Sequence, residues 1–175
     1  MDRIDIFRAK LYATMQILKI SREQICNDFN IEKIILDDIL NSRCKYKDIN
    51  INENSIKKLN ELFLDAYILA GNFLNVLGYE VWNMNKKPNN LRKSIKFNIA
   101  INILNLDKKL NENNELSEIL GFIVAGKYDE TKNIINEKLT LKLSKILTLA
   151  KKKLNRYYCI LGLVDKEENI YETLQ

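Results

Sequence analysis

Apolar side chains recur at spacings of three and four along most of this chain, which is the period of an amphipathic helix. Ile4, Phe7, Leu11, Met15 and Leu18 predict a leading helix over residues 2–19. Ile25 and Phe29 share one face of a short second helix, and Ile35, Leu36, Ile39 and Leu40 mark a third. After a polar stretch at 43–54, the series Ile56, Leu59, Leu62, Phe63, Ala66, Leu69, Phe73, Val76 and Leu77 predicts a long helix. Asn54 or Ser55 is its expected cap, and Gly71 its expected point of division. Leu91, Ile95, Ile99, Ile103 and Leu106 mark the next helix, and 115–125 a short apolar one with Gly126 at its C-terminal turn. Asp129 is an expected cap for 130–138. Residues 141–163 form the last long helix, with Leu143, Ile146, Leu147, Ala150, Leu154, Tyr157 and Leu161 inward. Asp165 and Glu168 suggest a final capped turn that brings Ile170 and Leu174 to the core. Alternation of period two appears only at 49–52, too short for a strand.

The punctuation agrees with an all-α chain. There is one Pro and there are five Gly in 175 residues, so helices are long and connections short. The clearest break is the polar run at 83–90, which holds that single Pro; the two expected domains are therefore 1–82 and 91–175. Phe73, Val76, Leu77, Tyr79, Val81 and Trp82 form an apolar cluster just before the break, more than one surface helix needs. It is expected to pack against the second half or to form a two-fold interface.

Residues 21–43, SREQICNDFNIEKIILDDILNSR, carry the most information. Ser21 with Gln24 makes a capping box, and Asn30 is one of the few non-glycine residues at ease with left-handed backbone angles. Two short helices around such a turn are the geometry of the DNA-reading helix-turn-helix. Ser21, Glu23, Gln24, Ile25, Cys26, Phe29, Asn30, Ile31, Leu36, Ile39, Leu40, Asn41 and Arg43 fill the pattern without a gap. The segment thus resembles the motif of the phage-repressor-like (Cro/C1, XRE) family, and the resemblance extends over roughly residues 1–70.

That resemblance implies a repressor-like helix-turn-helix N-terminal domain followed by a helical C-terminal domain. It also implies a DNA-binding transcriptional regulator from a phage or mobile element, acting as a homodimer on double-stranded DNA. Its groove-facing positions here are Glu32, Lys33, Ile34, Asp37 and Asp38. Ile34 can touch a thymine methyl and Asp37 can accept from a cytosine amino group. Arg22 stands where the family often places a phosphate contact, and Arg43, Lys45 and Lys47 can flank the groove. The acids depart from the family's habit, because carboxylates are unfavourable beside phosphates. They leave open a second reading: an inhibitor or adaptor with the same fold, binding a protein partner instead of DNA.

Charge distribution adds a second candidate surface. The net charge is +5, yet residues 1–50 carry nine basic and eight acidic side chains. Lys142, Lys145, Lys151, Lys152, Lys153 and Arg156 fall in a stretch without any acid. Lys152 and Arg156, with Lys142 and Lys145, lie on neighbouring turns of one helix, a stripe able to track a phosphate backbone. Tyr157 and Tyr158 beside it can stack on bases or bury their rings.

Catalysis is not indicated. The chain has no His, so triads and Cys/His zinc sites cannot be built. Cys26, Cys44 and Cys159 are scattered and odd in number, unlike a disulfide framework. Glycine-rich phosphate loops are absent, and Glu112, Glu115 and Glu118 read as a solvated helix face. No enzyme activity, cofactor or metal is expected. The apolar runs are too short to span a bilayer and the first residues carry acids, so a cytoplasmic protein without a membrane role is expected.

Overall fold

The computed structural model describes residues 3–41, 51–78 and 90–163. It is all-α, with no strand among those residues. The helices are α1 (Arg3–Leu18), α2 (Arg22–Phe29), α3 (Lys33–Leu40), α4 (Glu53–Leu77), α5 (Asn90–Leu104), α6 (Glu115–Val124), α7 (Tyr128–Thr131) and α8 (Glu137–Leu161), with a 3-10 turn at Asp107–Asn111. The chain packs as two units: Met1–Ala70 with Tyr157–Gln175, and Gly71–Arg156. Both boundaries fall inside helices, α4 and α8. The polar run at 83–90 and the final turn around Asp165 lie outside the described residues, except for Asn90.

In the first unit, α1, α2 and α3 surround a small aliphatic core. Leu11, Ile25, Leu36, Ile39 and Leu59 are all at or below 1% exposure, so each helix contributes at least one fully buried side chain. Phe7 meets Phe63 edge to face, with ring centroids 5.6 Å apart, and so joins α1 to α4. The last turn of α8 belongs to this unit: Tyr157 meets Tyr12 at 6.4 Å, and Tyr158 stacks on Tyr67 at 4.4 Å and 10°. Phe29 is only half-buried, because the turn after it carries Ile31 inward instead.

Two polar contacts tie helix ends together. Ser55 is not the cap of α4. Asn52 is, its Oδ1 accepting from the Ser55 N–H at 2.8 Å. The Ser55 hydroxyl is thereby free to donate to the Phe29 carbonyl at the end of α2, 2.6 Å away. Arg8 Nε donates to the Ile39 carbonyl in the last turn of α3 at 2.5 Å, while its Nη1 pairs with Asp5 at 2.6 Å. A cation at a helix C-terminus satisfies an orphan carbonyl and opposes the helix dipole. Gly71 does not divide α4, which runs unbroken to Leu77.

The second unit is built on α5 and α6, with Phe97, Ile119, Leu120, Ile123 and Leu143 in one buried cluster. α5 ends earlier than the apolar series suggests. Asn105 takes φ 53°, and the Leu106 N–H returns to the Ile101 carbonyl at 2.9 Å. Gly126 closes α6 in the same way at φ 74°, with the Lys127 N–H on the Phe122 carbonyl at 2.8 Å. Ile95 proves 42% exposed; Lys96 and Phe97 turn inward in its place. The Lys93 ammonium lies 4.4 Å from the centre of the Tyr128 ring.

The helix expected over 130–138 with Asp129 as its cap is instead four residues long, α7, with Asp129 inside it. Residues 132–136 are not helical, and only Glu137 and Lys138 of that stretch open α8. Asn136 is the reason. Its Oδ1 accepts from the Leu139 N–H at 2.9 Å, and its carbonyl takes the Thr140 hydroxyl at 2.9 Å. The cap fixes the start of α8, and the Thr140 hydroxyl bonds back within the first turn rather than interrupting the helix.

Candidate nucleic-acid interface

The turn between α2 and α3 is held from both sides. Ser21 Oγ accepts from the Gln24 N–H at 3.2 Å, and Gln24 Oε1 accepts from the Ser21 N–H at 2.8 Å, so the capping box is complete. At the other end Asn30 sits at φ 51° and ψ 51°. Ile31, 5% exposed, donates its N–H to the Cys26 carbonyl at 3.1 Å and pins the turn to the core. Only Asn30, Ile31 and Glu32 separate the two helices. The outcome is a rigid presentation of the first turn of α3.

What α3 presents is specific. Glu32, Lys33 and Ile34 are exposed, while Leu36 and Ile39 face the core. Ile34 is 67% exposed, an apolar side chain held out beside a lysine at the head of the helix. Asp37 and Asp38 are half-buried instead of open. Asp37 accepts from Arg22 Nη1 at 2.9 Å, so the expected phosphate contact and an expected base contact occupy each other. Arg43, Lys45 and Lys47 lie outside the described residues.

Cys26 lies behind this surface. Burial pushes its thiol pKa up, the Asp37 carboxylate adds to that, Lys33 opposes it, and Glu23 adds a little more. Cys26 and Cys159 are both free thiols.

In the second unit, Lys142, Lys145, Lys152 and Arg156 are exposed on α8. The basic run is not uniform. Lys151 turns in to donate to the Gly78 carbonyl at 2.7 Å, and Lys153 is half-buried with a partner of its own. Lys138, which sequence reasoning assigned to another helix, is exposed on the first turn of α8. The signal for it was present: 138, 142, 145, 149, 152 and 156 keep spacings of four and three throughout.

Among the described residues no group of three or more Cys, Asp or Glu is placed to hold a metal ion, and no helix is long and apolar enough to cross a membrane. No protein-family model, curated protein or solved structure matches this chain.

Proposed function

We propose that the chain is a DNA-binding transcriptional regulator of the repressor-like helix-turn-helix type, working in the cytoplasm as a homodimer and without catalytic activity. The observation that carries this reading is the head of α3, where Lys33 and a 67% exposed Ile34 stand beyond a locked three-residue turn. An isoleucine exposed to that degree is costly in water and useful against thymine methyl groups. Lys33 beside it supplies a phosphate or guanine contact.

A second reading is favoured by the Arg22–Asp37 pair, which withdraws one cation and one acceptor from the groove side. In it the same helix pair is an inhibitor or adaptor, with Ile34 and Lys33 meeting a protein partner. Selection of bound duplexes from a random pool separates the two. A repressor-type dimer enriches a two-fold sequence with half-sites about one turn, ~10 base pairs, apart. Lys33→Ala and Ile34→Ala then degrade the enriched motif. A pool that stays random supports the protein-binding reading, and light scattering showing a strict monomer removes the dimeric form of the first.

A further inference from the structure

We infer that the outward face of α8 in the second unit is a separate, sequence-independent binding surface for the phosphate backbone of duplex nucleic acid. Lys138, Lys142, Lys145, Leu149, Lys152 and Arg156 fall within about 40° of one line along the helix, at 100° per residue. All six are exposed. The line is straight and about 27 Å long at 1.5 Å per residue. No acid occurs between residues 138 and 156, and none of the five cations forms an ion pair among the described residues. Five unneutralised charges on a rigid rod repel one another, and a polyanion relieves that repulsion.

The surroundings select the polyanion. A helix that adsorbs into a membrane interface needs a free apolar face. The apolar face of α8 is already spent in the core, where Leu143, Ala150 and Leu154 are 0% exposed. Outward, α8 shows only Leu141 and Leu149 as exposed large apolar side chains, too little to anchor it in lipid. Single strands are gripped by aromatic platforms, and the stripe has no aromatic residue. Protein interfaces are depleted in lysine and centred on aromatic anchors, whereas this face has four lysines and no ring. Lysine is a point charge that contacts phosphate without reading bases, so binding here is indifferent to sequence.

This surface stands whether or not α3 reads DNA, and one experiment keeps the two apart. Fluorescence anisotropy of the full chain is measured against two unrelated 20-base-pair duplexes, the corresponding single strand, and vesicles rich in phosphatidylserine, across a salt series. Both duplexes bind alike and in preference to the single strand. K142E/K145E/K152E weakens duplex binding at least about tenfold at low salt and makes the salt dependence of log K shallower by about 2.7, three released counterions at 0.9 each. Lys33→Ala and Ile34→Ala leave this sequence-independent affinity within about twofold, since one phosphate contact at most is lost. A thermal melt establishes that the triple variant is folded, and K142Q/K145Q/K152Q replaces it where the acidic set is not. Wild-type binding by either folded triple variant overturns the inference. So does binding to vesicles or single strand in place of duplex, and so does absence of duplex binding at low salt.

Discussion

Arg22 and Asp37 hold each other across the turn between α2 and α3, Nη1 to Oδ1 at 2.9 Å, on side chains 48% and 33% exposed. At that exposure the pair contributes at most about 1 kcal/mol to stability. Its larger consequence is for the surface, because one carboxylate masks Arg22, the cation of the turn expected to meet a phosphate. Asp37→Asn removes a negative charge and releases Arg22. In the DNA-reading model this strengthens duplex binding roughly fivefold, the ~1 kcal/mol of one close charge interaction in water. Arg22→Ala acts in the opposite direction. Anisotropy titrations of both variants check the signs. Weaker binding by Asp37→Asn would mean that the carboxylate itself accepts from a base.

The turn makes its own prediction through backbone strain. Asn30 at φ 51° occupies the left-handed region, where a residue with an unassisted Cβ is disfavoured by about 1–2 kcal/mol. Asn30→Ala therefore lowers stability by about 1 kcal/mol, while Asn30→Gly is neutral or slightly stabilising. Ser21→Ala breaks the capping box and costs about 1 kcal/mol. Ile25→Ala, at 1% exposure, costs about 2–5 kcal/mol. Phe29→Ala costs less than Ile25→Ala, since Phe29 is only half-buried. Urea melts of the four sites order these effects, and a Phe29 loss exceeding that of Ile25 would contradict the packing described.

Ser55 and Arg8 act at a distance in sequence on the same helix pair. Ser55→Ala leaves the Phe29 carbonyl without its side-chain donor and costs about 1–2 kcal/mol. Arg8→Lys keeps the charge but cannot reach the Ile39 carbonyl and Asp5 with one planar fork, so it recovers only part of the stability lost in Arg8→Ala. Full recovery by lysine would reduce the role of Arg8 to charge alone.

The contrast between these residues explains what the sequence discloses. The capping box and Asn30 are local: spacing and backbone chemistry within a few residues determine them, and they could be read directly. So could the all-α class, from the spacing of apolar residues and the scarcity of Gly and Pro. The donors Ser55 and Arg8 could not, because their acceptors lie 26 and 31 residues away. Nor could the pairing of Asp37 with Arg22, since spacing puts both on polar faces without saying that those faces meet. Lys138 falls at the end of the helix expected over 130–138, and only the Asn136 cap, which starts α8 at Glu137, moves it onto the basic face. The divisions between units were illegible for another reason. They fall within helices that run on unbroken, at Gly71 in α4 and after Arg156 in α8, so the apolar spacing continues across them.

Cys26 reports on the same surface through pH. Its folded pKa is raised, so the native state holds the thiol proton more tightly than the unfolded chain. The sign follows: the stabilisation is fully present below the unfolded thiol pKa and is lost as pH rises through the folded one. In a background with Cys44→Ser and Cys159→Ser, alkylation of Cys26 is slow at neutral pH and has its midpoint above the ordinary thiol range. Burial is the first cause and Asp37 the second, so Asp37→Asn lowers that midpoint without restoring the free-thiol value. A midpoint unmoved by Asp37→Asn would remove Asp37 from the causes of the shift.

Thr14 gives the most direct test of the first unit's core. Its side chain is 0% exposed on α1, and its hydroxyl has no hydrogen-bond partner among the described residues. A helical threonine ordinarily bonds back to the carbonyl one turn earlier, as Thr140 and Thr148 do here at 2.9 Å. A buried hydroxyl without that bond costs about 1–3 kcal/mol in desolvation. Thr14→Val keeps the branched shape and the volume while removing the polar atom. It therefore raises stability by about 1 kcal/mol, where most core substitutions lower it. Thr14→Ala removes the hydroxyl as well but leaves a methyl-sized void, so it is less stable than Thr14→Val. Denaturant melts of the two variants beside the parent decide it. A Thr14→Val variant less stable than the parent would show that the hydroxyl is hydrogen-bonded in solution.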